Sequence, residues 1–326
     1  MEWEKFILID KIQLYFITIT TGLYFTIGGF GNIISLVIFN DKLFKKQPAT
    51  FYLIAACIMN LVTILYLPVM LLAPIWKINS ITCKAYQWIF GFIIRFQAWI
   101  VTIGSFDRLL STFKPHNCLF KDKRRFQIAT LVVIAIIIFI LIFYALYYPV
   151  PVEISNITTC SFPNDQNARW VWMYYNLEYA IIRVSLPFTV MIISSIMISY
   201  KMYKTKRILL QNVESQRERD LFISLISYDI FFVIFRIPMV VYSFLNKDPI
   251  SFFVSFNYSI FLAVGLNSNV FVFVVFIFFN KVYRKLFFRK MKCQPQVQDN
   301  QINLRNVLSK KIELRVIGNE TIGNEK

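Results

Sequence analysis

Residues 83–112 read CKAYQWIFGFIIRFQAWIVTIGSFDRLLST, from Cys83 to Thr112. The middle of this run is almost wholly apolar. It is long enough to cross a bilayer as a helix, since about 20 residues at roughly 1.5 Å each span the hydrocarbon. Its ends differ in chemistry: a thiol, Cys83, opens it, and Asp107-Arg108-Leu109 sets an acid beside an arginine near its close. The remainder of the chain is arranged around this segment.

The 326 residues are 57% hydrophobic and only 16% charged, against about 25% charged in ordinary soluble domains. Mean hydropathy is +0.56. The chain therefore belongs in a lipid bilayer. Runs of about 18 or more apolar residues mark candidate spans, and they fall at 14–39, 50–75, 83–112, 127–148, 177–202, 220–245 and 252–279. The predicted fold class is all-α, a seven-transmembrane helix bundle. An odd number of spans puts the two termini on opposite sides.

A net charge of +17 raises nucleic acid as a partner, but the charge distribution excludes it. Of the 35 basic residues, 25 lie in the segments facing one side, among them Lys42, Lys123, Arg124, Lys204, Arg219 and those from Lys281 onward. The positive-inside rule then predicts a multi-pass plasma-membrane protein with an extracellular N-terminus and a cytoplasmic C-terminus. The basic face also suits the anionic inner leaflet. On this topology residues 1–12 are an extracellular N-terminus and 13–280 the membrane domain, and 281–293 form a short amphipathic eighth helix. Residues 294–326 are polar and read as a disordered cytoplasmic tail. Met1 to Ile12 carries Glu2, Glu4 and Asp10, so no cleavable signal peptide is predicted and the first span serves as the insertion signal. The short N-terminus also predicts no large ligand-binding ectodomain. Five cysteines are too few for a disulfide scaffold, yet Cys83 and Cys160 both fall in the oxidising compartment.

Polar residues inside spans need partners. Asn32 follows Gly28-Gly29-Phe30-Gly31 and reads either as part of a close-packed small-residue face or as a functional amide. Asn60 should face the bundle, because a lipid-facing amide loses its hydrogen bonds. Arg95, Arg183 and Arg236 also lie within spans, where ionisable groups are costly and usually functional. They suit an anionic ligand through forked hydrogen bonds; alternatively they pair internally with Glu178 and Asp229, or snorkel.

Taken together, residues 14–291 resemble the rhodopsin-like, class A G-protein-coupled receptors, in a divergent form of peptide or chemosensory type. The likeness rests on Asp107-Arg108-Leu109 where the family has Asp-Arg-Tyr, on Cys83 placed 25 residues before Arg108, and on Gly31-Asn32 and Asn60. Pro187, Phe232, Pro238, the Asn267-Ser268 pair and the stretch Lys281-Val282-Tyr283-Arg284-Lys285-Leu286-Phe287 add to it. There are departures. Arg236 replaces the sixth-helix tryptophan, the fourth span lacks its tryptophan, and Phe271, Val272 and Val275 stand where Asn-Pro-x-x-Tyr is expected.

The resemblance implies a receptor that binds an extracellular ligand, a peptide or a small molecule with anions among the candidates, and opens its cytoplasmic face to a heterotrimeric G protein. It implies a Cys83–Cys160 disulfide, a signalling switch of Asp107, Arg108 and Glu218, and a ligand pocket of Phe90, Arg95, Tyr179, Arg183 and Arg236. A polar core of Asn32, Asn60, Asn267 and Ser268 completes the set. Snorkelling to the headgroups is the competing role for Arg108. Relatives hold sodium at an aspartate where Asn60 stands here, which predicts little sodium dependence. Phe90 occupies the position of the aspartate of amine receptors, and the seventh span has no lysine for retinal, with Gly265 near that place. Asn156-Ile157-Thr158 is a glycosylation sequon. Cys293 is either a palmitoylation site or an unmodified tail thiol. With one histidine, His116, and no metal-ligand cluster, neither enzymatic activity nor a cofactor is expected. The competing class is a seven-span anion transporter or channel with arginines along its path. Against it, the two halves show no internal repeat.

Overall fold

The computed structural model describes most of residues 12–291. Residues 1–11, 13, 14, 17, 46–48, 73–78, 114–122, 144–146, 148, 149, 155, 156, 162–169, 171, 172, 175, 210–212, 246–255, 271 and 292–326 lie outside the described residues. Asn156, His116 and Cys293 are thus not described, nor are the predicted N-terminal and tail segments.

The described chain is nearly all helical. α1 spans Thr18–Phe39, α2 Ala49–Leu72, α3 Ser80–Phe113 and α4 Lys123–Leu141. α5, Leu186–Leu209, is entered through a π-helical turn at Tyr179–Ser185, and α6 covers Val213–Leu245. α7 is made of Phe256–Val270 and Val272–Phe279, and α8 is Lys281–Met291. Among the described residues six helices are long and apolar enough to cross a membrane, and the bent pair Ile260–Val270 and Val272–Phe279, taken as one span, brings the number to seven. This is a seven-transmembrane bundle. Beyond the all-helical expectation, the described residues include one antiparallel strand pair, the hairpin of β1 (Val150–Ile154) with β2 (Ile157–Ser161), in which Pro151 pairs with Cys160. From Lys285 onward the chain forms a second unit, in which the Phe287 and Phe288 rings meet edge to face.

α3 is the axis of the bundle and packs against α2, α4, α5 and the hairpin. Its burial records this: Ile94, Ala98, Ile100 and Val101 are closed off, whereas Ile128, Val132, Ile136 and Ile140 of α4 face outward as lipid-exposed residues should. The Cys83–Cys160 disulfide, with Cα atoms 5.5 Å apart, joins the start of α3 to β2.

Two breaks in regularity have local causes. Pro187 lacks an N–H and would disrupt a tight helical turn, and the wide turn Tyr179–Ser185 just before it absorbs the ring. The carbonyl of Ile182 in that turn accepts a hydrogen bond from the Trp99 indole at 3.1 Å. α7 bends by 47° although it has no proline. Ser268, two residues before Val270, turns its hydroxyl onto the Gly265 carbonyl at 2.9 Å, the kind of side-chain back-bonding that bends helices.

Close approach explains two of the α1 glycines, Gly28 and Gly31. A Cβ on Gly31 would overlap the Phe273 ring of α7, whereas one on Gly29 would meet nothing within 4 Å. Gly31→Ala should therefore lower the stability of the purified protein by about 1–3 kcal/mol, read as a thermal midpoint, with Gly29→Ala near wild type. Equal midpoints for the two variants would contradict the close α1–α7 packing.

Candidate functional site: a buried polar core

Mid-membrane amides from separate helices converge. Asn60 of α2 donates to the Asn32 side-chain oxygen at 2.8 Å, and the Asn32 amide donates to the Asn269 carbonyl at 3.0 Å and to that of Gly28 at 2.7 Å. The Gln97 amide of α3 donates to both Asn60 and Asn269, the latter at 2.6 Å. The Ser268 hydroxyl lies 3.2 Å from the Asn269 side-chain oxygen. Arg236 of α6 brings a guanidinium nitrogen to 3.4 Å from that same oxygen, with its head over the Phe232 ring. Asn32, Asn60, Gln97, Asn269 and Arg236 are all within 2% of fully buried.

Of the four residues predicted for this core, Asn32, Asn60 and Ser268 meet there. Asn267 is only half-buried, and Asn269 is the acceptor on which the others converge. The sequence marks Gln97 and Asn269 only as amides within spans, and the two-residue spacing of Asn267 and Asn269 hides which asparagine points inward.

The upper half holds the arginines. Arg95 and Glu178 form a buried, two-pronged ion pair: Arg95 Nε donates to Glu178 Oε1 at 2.6 Å and Nη2 to Oε2. Nη1 of Arg95 donates to the Gly91 carbonyl at 3.0 Å. The Arg95 charge is thus matched within the protein, which is the internal-pairing alternative for this residue. Arg183 is buried in the π-helical turn, and Arg236 points down to Asn269. Phe90 stacks with Tyr66 and Tyr86 above the core. The Tyr179 side chain is not described.

At the opposite end, the Asp107 carboxylate accepts from Gln127 of α4 at 3.2 Å. The Arg108 guanidinium lies over the Phe222 ring of α6, 5.7 Å from its centre. Leu109, Ile198 and Phe222 pack together there, from α3, α5 and α6. Glu218 is on α6 one turn before Phe222, but its side chain is not described. Where α1 and α7 end, Tyr283 bonds Ser35 at 2.8 Å and packs with Phe39 and Phe276.

The profile of the "7 transmembrane receptor (rhodopsin family)" matches residues 31–271, most of the bundle just described. The chain belongs to the rhodopsin family. A "G-protein coupled receptor homolog Q2/3L" of Sheeppox virus (strain KS-1) is 24% identical over 188 residues, 56% of this chain and 49% of that protein. The match thus spans about half the length of the curated relative. As a member of the family this receptor is a multi-pass membrane protein, and it departs from the pattern at a definite place: Arg236 brings a cation into the polar core.

Two outcomes follow from this geometry. Removing one partner of a buried pair leaves an uncompensated charge, at about 3–5 kcal/mol. Glu178→Gln should lower the thermal midpoint sharply, while Arg95→Met combined with Glu178→Leu regains most of it; a double variant no better than the single would refute the pairing. Second, a neutral amide cluster with a guanidinium against it repels added cations. Exchanging sodium for potassium at constant ionic strength should leave the midpoint unchanged, and a large sodium-specific rise would show a cation site instead.

Proposed function

We propose that this receptor sits in the plasma membrane with its N-terminus outside, binds an extracellular ligand, and activates a heterotrimeric G protein by opening the end that holds Arg108. The supporting observation is the guanidinium of Arg108 resting on Phe222 of α6, beside the contact of Leu109, Ile198 and Phe222. A cation over an aromatic ring is worth about 0.5–2 kcal/mol, enough to bias a two-state equilibrium without locking it. Separating α6 from α3 breaks this contact and uncovers both the arginine and an apolar seat. Lysines and arginines in the flanking loops then draw an acidic G-protein surface toward the opened cleft. Glu218 adds a carboxylate latch to the same arginine in the closed state. An agonist must bind the open bundle better than the closed one to drive this change.

For the ligand, the guanidiniums of Arg183 and Arg236 within the spans support a carboxylate-bearing peptide or small molecule, which such groups recognise through forked hydrogen bonds. The stacked Tyr66, Tyr86 and Phe90 would supply an apolar wall for such a ligand. A biogenic amine finds no carboxylate at Phe90.

The test is guanine-nucleotide exchange on several G proteins, basal and during a screen of peptides and carboxylates. Phe222→Ala and Glu218→Ala should each raise basal exchange several-fold at matched surface expression, and Arg108→Ala should abolish stimulated exchange. Unaltered exchange in all three variants would end the proposal.

A further inference from the structure

Two short segments concentrate exposed cations where α1 and α7 end. After α1 the chain makes a helical turn, Lys42–Lys45, and α8 starts at Lys281. Phe44 of the turn and Tyr283 of α8 are both buried, with their ring centres 6.5 Å apart. Phe39 packs on both, 5.5 Å from Phe44 and 5.6 Å from Tyr283. Polar contacts fix the two segments as well. The Asp41 carboxylate accepts from the Leu43 N–H at 3.1 Å, and the Thr50 hydroxyl of α2 donates to the Phe44 carbonyl at 2.8 Å. The Asn280 side-chain oxygen accepts from the Tyr283 N–H at 2.9 Å.

With Phe44 and Tyr283 turned inward, the basic residues beside them are left at the surface. Lys42, Lys45 and Lys281 are exposed and Arg284 is half-buried. Neither 42–45 nor 281–291 contains an acidic residue. Among the described residues none of these four cations is in an ion pair. Apolar surface adjoins them: Val37 near the end of α1 and Phe278 near the end of α7 are 49% and 71% exposed. Cations and lipid-facing side chains thus stand together at the depth of lipid headgroups. A soluble anion would use only the charge. Several cations on one fixed frame match a headgroup with more than one phosphate, through charge-assisted hydrogen bonds.

We propose that this surface is a binding site for a membrane lipid with a multiply phosphorylated headgroup, of the inositol bisphosphate type. Lys42, Lys45 and Lys281 donate to the phosphates, Arg284 adds a guanidinium donor, and the acyl chains run along Val37 and Phe278. The site lies on α1, α7 and the start of α8, not on the contact of Arg108 with α6. In a cell its lipid comes from the inner leaflet, which rests on the orientation proposed above. Binding to the purified receptor does not depend on that orientation or on coupling, so the two readings can fail separately.

The test is native mass spectrometry of the full-length receptor in detergent, titrated with phosphatidylinositol bisphosphate and, in parallel, with phosphatidylserine and phosphatidylcholine of the same chains. The bisphosphate lipid should bind about 25-fold more tightly than phosphatidylserine, from two further charge contacts at about fivefold each. Lys42→Ala combined with Lys281→Ala should weaken it by a similar factor. Both side chains are exposed, so the lipid-free thermal midpoint should stay at the wild-type value. Arg124→Ala combined with Lys204→Ala, an equal loss of exposed charge elsewhere, should leave lipid affinity unchanged. Equal affinity for phosphatidylserine and the bisphosphate lipid would reduce the surface to a general attraction for anions and overturn the proposal. Equal weakening by the two double variants, or binding no tighter than that of phosphatidylcholine, would overturn it too.

Discussion

A bilayer offers no water to a stranded amide, and this single constraint organises the bundle. Each polar side chain carried into the membrane must meet another across a helix boundary. Asn32, Asn60, Gln97 and Asn269 do so at one depth, tying α1, α2, α3 and α7 together through bonds of 2.6–3.0 Å. The apolar faces around them could slide, since lipid tails are as apolar as leucine and give little drive to one register over another. Hydrogen-bond geometry, by contrast, is steep in distance and angle. The amide core therefore sets register, and the aliphatic packing fills in around it.

Above and below that core the same logic takes charged forms. Arg95 and Glu178 can share the upper half only because each neutralises the other and Gly91 accepts a third bond. The disulfide from Cys83 to Cys160 anchors the hairpin over the same end of α3. At the lower end Arg108 lies over the Phe222 ring of α6 and Asp107 accepts from Gln127 of α4, so polar groups there join α3 to two neighbouring helices.

Much of this was legible from residues alone. Span number, the central place of residues 83–112 and the inward direction of Asn32 and Asn60 follow from apolar run length and from the cost of a lipid-facing amide, both local properties. Arg236 could be recognised as a departure because it stands two residues before Pro238. Other features could not be read this way. Asn267 and Asn269 are two residues apart, both polar and both in a span, and a helix that bends by 47° close by does not keep the phase of a straight one.

Composition and periodicity thus settle that the chain crosses a membrane seven times and which stretch forms its axis, because burial in lipid acts on each span separately. Partner choice was left to the folded bundle. Whether Arg95 meets Glu178 or a ligand, and whether Asn267 or Asn269 enters the core, depend on distances between helices far apart in sequence. Such distances come from helix rotation and tilt, and those emerge only when all the spans pack at once.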